Sequence, residues 1–148
     1  HAQVAAVNGV VDYFESVAAH HARNDEKSVA AQAQLVRTLF HHAESALLPP
    51  LLDFLSAHPR VRLIGSVQAS DRAPTVAFTV EGLSSVEVAQ ALARLDIGVG
   101  HGNFYAYRLM QALGIDPAEG VVRASFVHYT SGADVDRLIA GLTSTLDS

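Results

Sequence analysis

The stretch Gly120-Val-Val-Arg-Ala-Ser-Phe-Val-His-Tyr129 decides the fold of this chain. Its alternation is typical of a β-strand, in which successive side chains point to opposite faces of a sheet. One predicted face carries Val122, Ala124, Phe126 and His128, and Arg123 lies on the other. A charge in mid-strand is costly to bury unless an anion meets it. We therefore expect Arg123 either to pair with an acid of the chain or to bind an anionic ligand.

The residues before this strand predict two long helices, followed by short strands that alternate with helices. Apolar residues recur every three or four positions over residues 4–21 and about 28–57, as in amphipathic helices. Pro49-Pro50 interrupts the second helix, and we expect a kink or a break there because proline removes a backbone donor. The remaining predicted strands lie at 60–64, 75–80 and 97–100, and the remaining predicted helices at 84–95, 104–113 and from 131 onwards.

This order of elements, two helices and then β-β-α-β-α-β-α, predicts an α+β fold. Short strands flanked by helices favour a small, mainly antiparallel sheet that helices cover on one side. The two N-terminal helices are long for such a sheet. We therefore expect part of their apolar surface to face a larger partner domain.

The composition excludes several classes of function. The chain has 148 residues and a formal net charge of -5 without a basic block, so neither nucleic acid nor an anionic membrane is an expected partner. It has no cysteine, which excludes disulfides, thiolate metal sites and a cysteine nucleophile within these residues. No apolar run approaches the roughly 18 residues of a membrane span.

The histidines and glycines give weak signals. The pairs His20-His21 and His41-His42 place neighbouring imidazoles about 100° apart on a helix, so no metal site is expected. The glycine-dense segment 98–102 lacks the strand-turn-helix spacing of a phosphate loop. His101 lies in this segment before a predicted helix, where it could contact a ligand.

Two segments near the C-terminus carry a family resemblance. Residues 122–131, followed by Asp-Val-Asp-Arg-Leu-Ile-Ala-Gly-Leu at 134–142, resemble the C-terminal end of cysteine desulfurases and related class V aminotransferases. Residues 97–102, Ile-Gly-Val-Gly-His-Gly, resemble the segment that precedes the catalytic cysteine loop of that family. The similarity covers about residues 35–147.

The resemblance implies a pyridoxal-phosphate enzyme of the aspartate-aminotransferase fold, of which this chain is the small C-terminal domain. Residues 1–57 would then be a helical segment that links to an absent large domain, and residues 58–148 the small αβ domain. In the family the strand arginine binds the α-carboxylate of the amino acid substrate. The resemblance assigns this role to Arg123. The resemblance places His101, Asn103 and Tyr105 at the mouth of the substrate site.

The departures from the family pattern matter as much. The desulfurase cysteine would fall near Asn103, Phe104 or Tyr105, and none of these is a cysteine. Persulfide chemistry needs a thiolate, so the resemblance points to the subgroup that lacks this cysteine. The lysine that forms the Schiff base belongs to the family's large domain, and the chain's one lysine, Lys27, lies in a polar break. We expect this chain alone to be inactive and without cofactor, and the parent enzyme to be a cytoplasmic homodimer.

A second interpretation remains open. The missing Schiff-base lysine also suits a free-standing, non-catalytic α+β module that binds a ligand or another protein.

Overall fold

The computed structural model describes residues 2–21 and 28–147, which form two compact units. The first unit ends at Ala43 and the second begins at Glu44. The first contains helix α1, Ala2–His21, and the beginning of helix α2, Val29–Ala57. The second contains the end of α2 and all that follows it. Lys27 lies outside the described residues.

Helix α2 runs through Pro49 and Pro50 without ending, so of the predicted kink or break the break does not occur. Both prolines are exposed, whereas Leu51, Leu52 and Leu55 are buried in the core of the second unit. Burying a leucine side chain stabilises a fold by about 1.5–3 kcal/mol. Three such side chains contribute about 4.5–9 kcal/mol, which is comparable to the roughly 6 kcal/mol that two prolines cost inside a helix.

The second unit is built on a four-stranded antiparallel sheet of order β1-β2-β4-β3. The strands are β1 Val61–Ile64, β2 Thr75–Val80, β3 Gly100–Gly102 and β4 Val121–Ser125. A 3-10 turn, Ala69–Asp71, lies between β1 and β2, and the remaining helices are α3 Ser85–Ala93, α4 Tyr107–Ala112 and α5 Gly132–Leu146. This order confirms the predicted α+β fold.

Strand β3 begins where its predicted counterpart at 97–100 ends. Its residues Gly100, His101 and Gly102 pair with Arg123, Val122 and Val121 of β4. The prediction was wrong because it followed the apolar side chains of Ile97 and Val99. These two side chains instead pack against the main core from the segment that precedes the strand.

The two faces of the sheet have different coverings. One face packs against α2, α3 and α5 and forms the main core, which includes Phe78, Val122 and Leu142. The other face carries a smaller cluster of Met110, Ile115 and Val121. Val121 and Arg123 share this second face because side chains alternate along β4.

Helices α3 and α5 both begin at capping boxes. The hydroxyl of Ser84 accepts the backbone N–H of Glu87, and that of Ser131 accepts the N–H of Asp134. Each carboxylate accepts hydrogen bonds in return from the hydroxyl and the amide of its serine, and these bonds lower the pKa of Glu87 and of Asp134. The helix starts predicted at residues 84 and 131 are thereby confirmed as the N-caps of α3 and α5.

Within residues 2–21 and 28–147, none of the helices combines the length and the apolar character that crossing a bilayer requires.

Candidate substrate-anchoring site

Arg123 lies in the middle of β4, between two strands that present small residues to it. Its register partners are Ala77 on β2 and Gly100 on β3. Side chains of paired residues lie on the same face of a sheet, so both neighbours leave space for the long side chain of Arg123. The sheet thereby leaves room for the side chain of Arg123 on its thinly covered face.

The ring of Phe104 lies against the guanidinium of Arg123. The Cζ atom is 3.8 Å from the ring centroid, which is a cation–π contact. Gly100 makes room for this ring, because a Cβ atom there would lie 3.0 Å from Cζ and 3.1 Å from Cε1 of Phe104. One packed group therefore consists of Gly100 in β3, the ring of Phe104 and the guanidinium of Arg123 in β4.

The hydrogen-bonding atoms of Arg123 are not equivalent. No carboxylate of residues 2–21 or 28–147 forms an ion pair with this side chain. Its Nε atom is buried and has no hydrogen-bond partner. Nη1 and Nη2 also form no hydrogen bond with the described residues, but they are not buried. The internal ion pair that the sequence left open is therefore not found among the described residues. The two terminal nitrogens keep solvent access.

An unusual loop holds Phe104 in place. Phe104 and the next residue, Tyr105, have φ angles of 50° and 62°, in the left-handed region that aromatic residues rarely adopt. The side chain of Asn103 braces this loop: its Oδ1 accepts the backbone N–H of Tyr105 at 3.0 Å, and its Nδ2 donates to the carbonyl of Pro117 at 3.0 Å. Strained backbone of this kind persists only where its surroundings hold it.

This loop delays the start of the following helix. A helix was predicted from residue 104, but α4 begins at Tyr107. The apolar spacing that suggested the earlier start arises because Phe104 packs with the smaller cluster of Met110, Ile115 and Val121. The contact between Phe104 and Arg123 was missed because Phe104 was assigned to this helix.

Of the four residues that the sequence placed at the site, His101 lies on the opposite face of the sheet from Arg123. Tyr105 follows Phe104 directly, and its side chain is fully exposed. Asn103 uses both polar atoms of its side chain for backbone contacts, with Tyr105 in its own loop and with Pro117 beyond α4. His101 is exposed and pairs with Val122, so its side chain points to the face opposite Arg123. Arg123 and Phe104 thus lie on one face of the sheet, and His101 lies on the other.

Among the described residues, no group of three or more histidine or acidic side chains is close enough to hold a metal ion.

Comparison with known proteins identifies the family. Residues 38–138 match the family model "Aminotransferase class-V". The aminotransferase-like protein FGM3 of Gibberella zeae is 37% identical over 107 residues, which are 70% of this chain and 26% of that protein. Probable cysteine desulfurase 2 of Mycobacterium leprae is 31% identical over 104 residues, 70% of this chain and 24% of the relative.

The solved structures agree with the sequence relatives. The apo cysteine desulfurase of Thermococcus onnurineus NA1 superposes with a TM-score of 0.69 at 27% identity, covering 80% of this chain and 30% of that one. This chain therefore belongs to the class V aminotransferase family and has the fold of a small domain of its pyridoxal-phosphate enzymes. It spans about a quarter to a third of the length of these relatives.

The family implies pyridoxal phosphate in the parent enzyme. An enzyme that uses this cofactor needs a lysine amine to form the imine. The chain's one lysine, Lys27, lies outside the described residues. The described residues thus contain no lysine amine for this imine.

Proposed function

We propose that this chain is the small-domain part of a pyridoxal-phosphate enzyme that acts on an amino acid, and that Arg123 binds the α-carboxylate of that substrate. The cofactor and the Schiff-base lysine belong to a larger domain outside these residues. The helical segment 1–57 links the small domain to it, and the parent enzyme is a cytoplasmic homodimer.

The main support for this proposal is that Arg123 has no carboxylate partner among the described residues. A guanidinium suits a carboxylate because its planar set of N–H donors matches the two oxygens of the anion. Arg123 has no carboxylate partner among the described residues, and Nη1 and Nη2 keep solvent access. An arginine needed only for folding would be expected to use its donors within the fold, as Arg60 does. Arg60 donates to the carbonyls of Glu81 and Leu146.

Within the proposed reaction this chain binds and orients the substrate and performs no covalent step. Arg123 fixes one end of the amino acid through its carboxylate. Tyr105, fully exposed beside Phe104, presents its phenol at the edge of the site. Persulfide formation needs a thiolate, and no residue of this chain supplies one because it contains no cysteine.

The test uses the full-length protein that contains this segment. Arg123→Lys and Arg123→Ala are compared with the unmodified protein for binding of the common L-amino acids, followed by the absorbance change of the bound cofactor. We expect the dissociation constant of the accepted amino acid to rise roughly tenfold or more. The spectrum without amino acid should not change, because the cofactor site lies elsewhere.

Arg62→Lys is the matched control. Arg62 lies on β1 and donates to the carbonyl of Leu113, so its loss changes the same sheet without removing the proposed anchor. A second control is the amide of the accepted amino acid, which lacks the carboxylate and should bind equally to the protein with and without Arg123. Equal affinity of Arg123→Ala and the unmodified protein for the amino acid would refute the proposed anchor.

A further inference from the structure

We propose that Phe104 is the positioning residue of Arg123: its ring holds the guanidinium so that only the terminal nitrogens, Nη1 and Nη2, meet the carboxylate. This inference rests on the proposed function, because it states how the anchoring arginine is oriented. It is also open to a measurement that does not depend on any substrate.

The first step of the argument is the covering of the guanidinium. With Cζ at 3.8 Å from the ring centroid, Phe104 occupies the space above the charge. The Nε atom is buried and has no hydrogen-bond partner. A carboxylate can bind an arginine either side-on, through Nε and one terminal nitrogen, or end-on, through both terminal nitrogens. Because Nε is shielded, only the end-on geometry remains open.

The second step is that Phe104 is itself held from several sides. Gly100 leaves the space for its ring, and the smaller cluster of Met110, Ile115 and Val121 packs against it. Asn103 fixes the left-handed backbone at residues 104 and 105. An aromatic ring fixed in this way can fix the flexible arginine side chain in turn.

The third step is the consequence for binding. A free arginine side chain loses much rotamer freedom when it binds a ligand, and this loss weakens the complex. A guanidinium already fixed by a ring loses less. Replacing the ring should therefore weaken carboxylate binding even though Phe104 itself touches no substrate atom.

The contact is tested first by NMR on the 148-residue chain. A proton near the face of an aromatic ring is shifted upfield, so the Nε–H signal of Arg123, assigned with Arg123→Lys, should lie upfield of the other arginine Nε–H signals. Phe104→Leu should remove this shift, and Phe104→Tyr, which keeps the ring, should retain it. Phe54→Leu is the matched control, because Phe54 is also partly buried but packs on the main core.

The positioning role is tested in the full-length protein. The ligand is the amino acid whose affinity for the protein falls when Arg123 is replaced by lysine. Phe104→Leu should raise its dissociation constant roughly three- to tenfold, and Phe104→Tyr should restore the original value. Gly100→Ala gives a second variant, because its Cβ would lie 3.0 Å from Cζ of Phe104 and would force the ring to shift. Gly98→Ala has nothing within 4 Å of its Cβ and should bind the amino acid normally.

The outcomes separate this inference from the proposed function. An Nε–H signal that does not respond to Phe104→Leu overturns the contact. A lost shift with unchanged affinity in Phe104→Leu overturns the positioning role, while the anchor still stands through Arg123→Lys. If no amino acid responds to Arg123→Lys, the proposed function fails and the positioning role falls with it.

Discussion

The backbone of Gly120 lies so close to that of Gly102 that no Cβ atom fits between them. A side chain on Gly120 would overlap the carbonyl group and Cα of Gly102. Gly120 also has a φ angle of 63°, in the region that favours glycine. This contact joins the start of β4, which carries Arg123, to the end of β3, from which the loop of Phe104 begins.

Gly120→Ala should therefore destabilise the second unit strongly. Both the overlap with Gly102 and the positive φ act against a side chain, and we expect the free energy of unfolding to fall by about 2 kcal/mol or more. Urea denaturation followed by circular dichroism measures this change. Gly132→Ala is the matched control, since a Cβ at Gly132 meets no atom within 4 Å. A loss no larger than that of the control would contradict the close contact.

The capping box of α5 should make stability depend on pH. Hydrogen bonds from the hydroxyl and the amide of Ser131 lower the pKa of Asp134 in the folded chain. A lowered folded pKa means that the carboxylate stabilises the fold above its unfolded pKa, near 4, and that this contribution is lost as the pH falls through the folded value.

The test compares the unmodified chain with Ser131→Ala by urea denaturation between pH 7 and pH 2. The variant should be less stable at pH 7, and the difference between the two chains should shrink as the pH falls below about 4. Asp136→Asn is the control, because Asp136 is exposed on the same helix outside the capping box. A difference that stays constant over the whole range would contradict the role of the ionised Asp134.

Pro50→Ala should stabilise the chain. Pro50 is exposed inside α2, where a proline lacks the backbone donor of the helix and costs up to roughly 3 kcal/mol against alanine. We expect a gain of about 1 kcal/mol or more in the free energy of unfolding, measured by thermal or urea denaturation. Pro59→Ala, in the turn after α2, should instead leave stability unchanged or lower it slightly. Equal effects of the two substitutions would contradict this explanation.

The sequence predicted those parts of the fold that local patterns determine. The alternation around Arg123 gave the two faces of β4, because Val122 and Ala124 are apolar, although the strand ends at Ser125 and not at the predicted Tyr129. The spacing of Ser131 and Asp134 gave the start of α5, because a cap depends on residues only three positions apart. The order of strands and helices followed from the same kind of signal.

The parts that were missed depend on contacts between distant residues. Strand β3 consists of two glycines and His101, which carry no hydrophobic pattern, so only its pairing with β4 defines it. The contact of Phe104 with Arg123 joins residues 19 positions apart and requires a left-handed loop that aromatic residues seldom form. No local propensity predicts such an arrangement.

The loop around Tyr105 has a consequence for how this site can evolve. Asn103 and the two closely packed glycines fix the backbone, and the ring of Tyr105, fully exposed, takes no part in holding it. Selection can therefore exchange the side chain at position 105 with little effect on folding, while Asn103, Gly102 and Gly120 stay constrained. A single substitution at position 105 can then change the functional group at the edge of the site without changing the loop backbone.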